Sequence, residues 1–108
     1  LGYSVEHRDA AVQARAVGRL REICELIRPG GTLRVREGGS GADIGPMQPA
    51  GVLLMGQNAD MTHYFDVHHT HADTLDKVDP RELDRHVAAM ATMAYILADS
   101  PERLGEAP

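Results

Sequence analysis

Residues 63–80, HYFDVHHTHADTLDKVDP, contain the densest group of metal-binding side chains in this sequence. Imidazole is the commonest protein ligand for zinc, and carboxylates complete many zinc sites. The histidines and aspartates of this segment are His63, His68, His69 and His71, with Asp66, Asp73, Asp76 and Asp79. The segment is therefore a metal site, part of one, or a polar loop rich in imidazole.

The spacing of these histidines argues against a complete local zinc site. A closed zinc site needs about four ligands in tetrahedral order, and adjacent residues do not easily all turn inward. On an extended segment His69 and His71 share one face, whereas His68 points the other way. Because no paired motif such as H-E-x-x-H is present, the spacing alone favours solvated loop histidines.

Asp43 is a second candidate, in the glycine-rich segment GGSGADIGPMQPAG. The segment follows a predicted strand, and open α/β sheets place their sites at the carboxyl ends of strands. An aspartate before a short helical turn is also explained as its N-cap. No Gly-Lys-Ser/Thr follows the glycines, so a tight turn is favoured over a phosphate-binding loop.

Composition excludes several functional classes. The chain has 108 residues and a net charge of -5 without a basic run, which argues against nucleic acid or an anionic membrane as partner. Cys24 is the only cysteine, so an internal disulfide and a cysteine-based zinc site are excluded. No apolar run approaches the roughly 18 residues of a membrane span. The chain begins at Leu1, and we expect a fragment of a longer protein.

The first half of the chain predicts a helix and two strands. The helix has Asp9 as its N-cap, ends at Pro29-Gly30-Gly31, and has an apolar face formed by Ala16, Leu20, Ile23 and Ile27. Cys24 lies on the apolar side of this helix, where a small buried hydrophobe is expected. A strand with one solvent-exposed face is predicted at TLRVRE, and a strand buried on both faces is predicted at VLLMG.

The second half predicts a long polar loop over residues 57–78 and then a helix. Asp79 is its expected N-cap, Pro80 suits the first helical position, and Glu82 completes the spacing of a capping box. Its predicted apolar face consists of Leu83, Val87, Met90, Ala94 and Leu97. Strands that alternate with helices predict an α/β fold with parallel layering.

Four segments, in order along the chain, resemble a known enzyme family: GGSGADIGPM, GVLLMG, YFDVHHTHADTLDKVDP and AAMATMAYILAD. They are similar to the C-terminal part of the co-catalytic di-zinc aminopeptidase family, and within it to the plasma glutamate carboxypeptidase (carboxypeptidase Q) branch. The resemblance runs from about Gly2 to Leu104. Its most specific part is H-T-x-x-D-T before an Asp-Pro helix start, present here as His69 to Thr74 with Asp79-Pro80.

The resemblance implies a fold and a chemistry. Residues 1–108 are expected to be the C-terminal portion of an incomplete catalytic domain, with residues 105–108 frayed. The family's sheet is mixed and mainly parallel, and helices flank it. The reaction is hydrolysis of a peptide bond next to a free terminus, in which two zinc ions share a bridging water and a glutamate is the general base. Zinc lowers the pKa of bound water and stabilises the developing oxyanion.

The resemblance also implies roles for five residues of this chain. His69 occupies the place of a zinc ligand. His68 stands near the position of the oxyanion and is a candidate for transition-state stabilisation. Asp43 matches an acidic position that supports the site without binding the metal. Asp73 and Thr74 are expected to fix the loop by hydrogen bonds.

Most of the implied site would come from earlier segments of a longer protein, so this chain would hold one of five metal-binding side chains. Alone it is expected to be inactive, to bind zinc weakly, and to self-associate through faces left uncovered. The substrate would be a peptide, and export is expected only by analogy with the family. One departure is Gly51-Val52-Leu53, where relatives carry Gly-Val-Pro.

Two other functions fit the sequence. A small metal-binding or regulatory module would use several histidines of the segment His63–His71 together, and would bind zinc with release of protons. A non-catalytic interaction domain would keep the fold without the chemistry. Only metal binding by the chain itself, and the sequence before Leu1, separate these functions from the peptidase.

Overall fold

The computed structural model describes residues 1–27 and 33–106 of the chain. Three β-strands lie in this part, β1 (Gly2–Glu6), β2 (Arg34–Glu37) and β3 (Leu54–Asn58). It also holds the α-helices α1 (Ala10–Leu26), α2 (Tyr64–Val67) and α3 (Pro80–Asp99), with 3-10 helices at Gly45–Ala50 and Leu75–Lys77. The chain divides into two compact units, one of Leu1–Asn58 with the chain from Ser100 onward, and one of Ala59–Asp99.

The first unit is built on a three-stranded sheet in the order β2-β1-β3. β1 runs parallel to β2, with Tyr3 opposite Val35, and antiparallel to β3, with Tyr3 opposite Gln57. The predicted α/β class and mixed sheet are confirmed. The expected parallel layering is wrong for this sheet, because one of its two strand pairs is antiparallel.

The central strand β1 is absent from the sequence prediction. It has only five residues and includes Gly2 and Ser4, which are poor strand formers. Its neighbours explain both residues. A Cβ at Gly2 would collide with the backbone carbonyl of Arg34 in the paired strand, and the Ser4 hydroxyl, fully buried, donates a 3.0 Å hydrogen bond to the carbonyl of Gly39.

Helix α1 packs against the sheet. Its predicted N-cap, Asp9, is confirmed. The Asp9 carboxylate accepts hydrogen bonds from the backbone N–H groups of Ala11 (2.8 Å) and Val12 (3.2 Å). Its buried residues are Ala16, Val17, Leu20, Ile23 and Cys24, and the buried apolar residues of the sheet are Tyr3, Val5 and Leu54. The predicted stop at residues 29–31 lies outside the described residues.

The predicted strand VLLMG is displaced and less buried than expected. β3 begins two residues later, at Leu54, and only that residue is buried. Its other four residues are only partly buried, so the prediction of full burial on both faces is wrong. Within the described residues β3 is also an edge strand, with β1 as its one strand partner.

Gly105, which belongs to the first unit, packs against α1. Gly105 is buried with φ of 89°, and its carbonyl accepts a 2.9 Å hydrogen bond from Nε of Arg15. A Cβ at this position would lie 2.9 Å from Cγ1 of Val12. The chain is therefore packed at Gly105, where fraying was expected to begin.

In the second unit, α3 begins where the sequence predicts. The Asp79 carboxylate accepts a 2.8 Å hydrogen bond from the Arg81 N–H, whereas Glu82 pairs with Arg85 at 2.8 Å and does not complete the capping box. The predicted apolar face is largely uncovered: Leu83, Val87 and Met90 are 51%, 59% and 59% exposed. Among the described residues, no helix combines the length and apolar character that a membrane crossing requires.

Candidate metal-ligand loop

The segment from Ala59 to Asp79 is ordered by local hydrogen bonds. Asp60 accepts a 2.9 Å bond from the Thr62 N–H and another from its hydroxyl, and these bonds lower the pKa of the Asp60 carboxyl. The short helix α2 then begins after His63, whose Nδ1 lies 3.0 Å from a carboxylate oxygen of Asp66. Both side chains of this contact are exposed, so it contributes little stability.

His68 and His69 are the two central residues of a type II β-turn. The Thr70 N–H donates a 3.0 Å hydrogen bond to the carbonyl of Val67, which closes the turn. His68 has φ of -50° and ψ of 126°, and His69 has φ of 58°. The second central residue of a type II turn needs positive φ and is usually Gly or Asn. His69 is the only non-glycine residue with positive φ in the described part of the chain.

The rings of this turn stack on one another. The His68 and His69 ring centroids are 3.8 Å apart with 23° between the planes. His68 also stacks on Tyr64 of α2, with centroids 4.3 Å apart and an angle of 29°. We refer to Tyr64, His68 and His69 as the ring stack. Phe65 meets Tyr64 edge to face at 5.0 Å and His68 at 6.0 Å.

Thr70 connects the turn to the residues after it. Its hydroxyl donates a 2.6 Å hydrogen bond to the Val67 carbonyl and accepts a 3.2 Å bond from the Ala72 N–H. Its carbonyl accepts a 3.1 Å bond from the Asp73 N–H. The sequence analysis gave Thr70 no role. Its place as the first threonine of the H-T-x-x-D-T motif was the feature that could have indicated one.

The two residues that were expected to fix the loop, Asp73 and Thr74, make different contacts within it. The Thr74 hydroxyl contacts Asp76, whose carboxylate also accepts a 2.7 Å hydrogen bond from Nζ of Lys77. The Lys77 contact and the Thr74 contact both lower the pKa of the Asp76 carboxyl. Asp73 is tied by its backbone N–H, and its side chain is exposed.

The loop does not gather a complete set of metal ligands. In residues 1–27 and 33–106 no three His, Cys, Asp or Glu side chains form a group able to hold a metal ion. His69 is exposed and can supply one ligand. A zinc ion needs about four ligands, so the described residues do not fit a whole zinc site.

Asp43 lies in the first unit, in a turn that precedes the 3-10 helix Gly45–Ala50. The residue before that helix is Ile44, and no side chain caps it. The expectation of Asp43 as an N-cap is therefore wrong. Its side chain is exposed.

His7 and Arg8 follow β1 at the carboxyl end of the parallel pair and were missed by the sequence analysis. His7 Nδ1 accepts from the Asp9 N–H at 2.9 Å, so Nε2 carries the proton that it donates to the Gly51 carbonyl at 3.1 Å. Arg8 Nη1 donates to the Pro49 carbonyl at 2.8 Å. Both side chains fasten the end of the 3-10 helix to the sheet, which is a structural role.

Cys24 has the role expected from its position on α1. The side chain is 3% exposed, and burial is the main cause that raises the pKa of its thiol, followed by the charge of Glu25. The thiolate is the reactive form of cysteine. A buried thiol with a raised pKa is a poor nucleophile.

The chain is similar to carboxypeptidase Q from several vertebrates. The Mus musculus protein is 35% identical over 92 residues, which are 85% of this chain and 19% of that protein. The Homo sapiens protein is 34% identical over the same shares of each chain, and the Xenopus laevis protein 29%. The chain thus spans about one-fifth of the length of these curated relatives. No protein-family model matches it, and no solved structure matches it.

The aligned stretch includes the three residues of the ring stack. A stretch of 92 residues, wherever it is placed in a chain of 108, contains residues 17–92. Asp43, His68, His69 and the motif up to Thr74 all lie within these bounds. The resemblance that the sequence motifs predicted is therefore confirmed, and the chain is related to a part, about one-fifth, of carboxypeptidase Q.

Proposed function

We propose that this chain is the C-terminal segment of a zinc-dependent exopeptidase, and that His69 is one of the metal ligands in the complete protein. The observation that carries the proposal is the similarity to carboxypeptidase Q over 92 residues, which include the H-T-x-x-D-T motif. A carboxypeptidase removes residues from the carboxyl end of a peptide, so the substrate class is peptides with a free terminus. Whole-protein activity depends on segments beyond these residues.

The geometry of His69 supports its assignment as a ligand. The side chain is exposed on a β-turn, and the backbone there has φ of 58°. Left-handed backbone at a non-glycine residue costs about 1–2 kcal/mol, and such positions cluster at functional sites. A histidine that served only as a solvated loop residue would gain nothing at this position over glycine or asparagine.

Zinc, when bound in the complete protein, would activate a water molecule for attack on the peptide carbonyl. This chain's own contribution would be one imidazole nitrogen, held by the turn at residues 67–70. Asp43 is proposed to support the site without binding the metal, and the hydrogen bonds of Thr74 and Asp73 to order the loop.

Zinc titration of this chain by calorimetry, beside His69→Ala and the control His71→Ala, tests the proposal. A single ligand gives a dissociation constant weaker than about 10 µM, little changed by either substitution. Sub-micromolar binding at one zinc per chain would contradict it and favour a self-contained metal module. In the full-length protein, His69→Ala is expected to lower zinc affinity, and unchanged affinity would remove His69 from the ligand set.

The metal-module alternative lacks the geometry that it requires. It needs several loop histidines on one ion, yet within the described residues no three such side chains converge. His63 pairs with Asp66, while His68 and His69 stack face to face. The non-catalytic interaction domain differs from the peptidase only in the segments that would supply the other ligands.

A further inference from the structure

We infer that His68 and Tyr64 are positioning residues, and that through the ring stack they fix the orientation of the His69 imidazole, the proposed metal ligand. The inference rests on the proposed function of His69 and gives His68 a role different from direct contact with the reacting carbonyl. It is carried by ring geometry and backbone conformation within the loop.

The first step is the conformation of the turn. Positive φ at His69, next to the extended backbone of His68, folds two neighbouring side chains onto the same side of the chain. In an extended strand neighbouring side chains point to opposite faces. The turn therefore brings the two rings to 3.8 Å with 23° between their planes, a contact that extended backbone forbids.

The second step is the support beneath His68. Tyr64 lies one helical turn earlier in α2, and the His68 N–H donates a 3.0 Å hydrogen bond to its carbonyl. The Tyr64 ring also stacks on the His68 ring, with centroids 4.3 Å apart. His68 is thus in contact with Tyr64 on one side and His69 on the other, and Phe65 meets it edge-on.

The third step is what the stack leaves free. Within the described residues, neither ring nitrogen of His69 takes part in a hydrogen bond, and the side chain is exposed. Metal-binding histidines are ordinarily oriented by a hydrogen bond from the second nitrogen to a neighbouring acceptor. Here stacking on His68 supplies the orientation, which leaves both ring nitrogens without a hydrogen bond and fixes the plane in which they lie.

Two substitutions at His68 separate stacking from nitrogen chemistry. His68→Phe keeps an aromatic ring in the stack and removes both nitrogens, whereas His68→Ala removes the ring. If His68 acts through stacking, the phenylalanine variant behaves like the native chain and the alanine variant does not. If His68 donates a hydrogen bond to the oxyanion, both variants lose kcat.

The first readout is proton NMR of this chain. The ring protons of His69 are expected to show upfield ring-current shifts that survive in His68→Phe and disappear in His68→Ala. His71→Ala is the matched control, since it removes a histidine of the same loop that lies outside the stack, and it should leave these shifts unchanged. Native-like His69 shifts in His68→Ala would overturn the stack itself, independently of any function.

The second readout is zinc affinity of the full-length protein. Loss of a group that orients a ligand typically weakens metal binding about 10-fold or more. We expect a loss of about that size in His68→Ala and native-like affinity in His68→Phe. Equal losses in both variants would overturn the positioning role. A native-like affinity in His69→Ala, with the NMR shifts as expected, would instead refute the proposed function while the stack stands.

Discussion

At the scale of single residues, the loop shows why a short motif carries so much information. Thr70 uses its hydroxyl as donor and acceptor at once, which ties the carbonyl of Val67 to the N–H of Ala72. The motif histidine takes a backbone conformation that a type II turn usually reserves for Gly or Asn. The pattern therefore encodes a folded loop as much as a set of reactive groups.

The Thr70 hydroxyl can be tested with a matched pair of substitutions. Thr70→Val keeps the shape and removes both side-chain hydrogen bonds, whereas Thr70→Ser keeps them. One lost hydrogen bond is worth about 1 kcal/mol, so the Ala72 amide should exchange with solvent about fivefold faster in Thr70→Val. Hydrogen exchange followed by NMR measures this rate. Equal rates in the valine and serine variants would show that the hydroxyl does not order the loop.

At the scale of elements, strand β1 and helix α1 share a core that contains two ionisable groups. Tyr3 is 1% exposed and Cys24 is 3% exposed. Burial is the main cause that raises the pKa of Tyr3, and the Cys24 thiol adds to it. Burial is also the main cause that raises the pKa of Cys24. Both groups are therefore neutral in the folded chain over a wider pH range than in the unfolded chain.

Because Tyr3 and Cys24 are buried in this core, we expect the free energy of unfolding to fall at alkaline pH. Because the pKa of each group is higher in the folded chain, the unfolded chain releases its protons first. The stabilisation is complete below the unfolded values and is lost as pH rises through the folded ones. Urea unfolding should show a stability that declines above about pH 8.5, the ordinary pKa of cysteine.

Cys24→Ala separates the two groups. It removes the thiol, so the decline should begin nearer pH 10, the ordinary pKa of tyrosine. The exposed Tyr95, replaced by Phe, is the control and should leave the pH profile unaltered. A profile of Cys24→Ala that begins to fall at the same pH as the native one would contradict the assignment to the thiol.

The elements also show what local sequence can predict. Asp9 and Asp79 cap their helices as their types and positions indicate, because capping depends on groups only two or three residues away. The central strand β1 was not predictable in this way. Its Gly2 and Ser4 are explained by the backbones of Arg34 and Gly39, which are far away in sequence.

The candidate site divides in the same manner. His69 and the importance of its motif followed from the resemblance, and the similarity to carboxypeptidase Q confirms that resemblance. The ring stack did not follow, because it requires positive φ at a histidine. Sequence spacing alone suggested that His68 and His69 point in opposite directions, which is correct only for extended backbone.

At the scale of the whole molecule, helix α3 exposes an apolar face of the kind that other protein surfaces usually cover. The predicted core face of this helix follows the helical period, yet Leu83, Val87 and Met90 are more than half exposed. A periodic apolar face normally packs against other elements. The chain is related to about one-fifth of carboxypeptidase Q, so other segments of a longer protein are the proposed cover. In their absence, we propose that a second copy of this chain covers the face.

Self-association of the isolated chain is therefore expected, and two substitutions on one helix test where it occurs. Val87→Glu places a charge within the exposed apolar face. Thr92→Glu makes the same change in charge at an exposed position about half a helical turn away around α3. Light scattering over a range of concentrations should show that the native chain and Thr92→Glu associate while Val87→Glu stays monomeric, because a buried unpaired charge is strongly unfavourable. A native chain that stays monomeric at every concentration would contradict the proposal, and association of all three would place the contact elsewhere than α3.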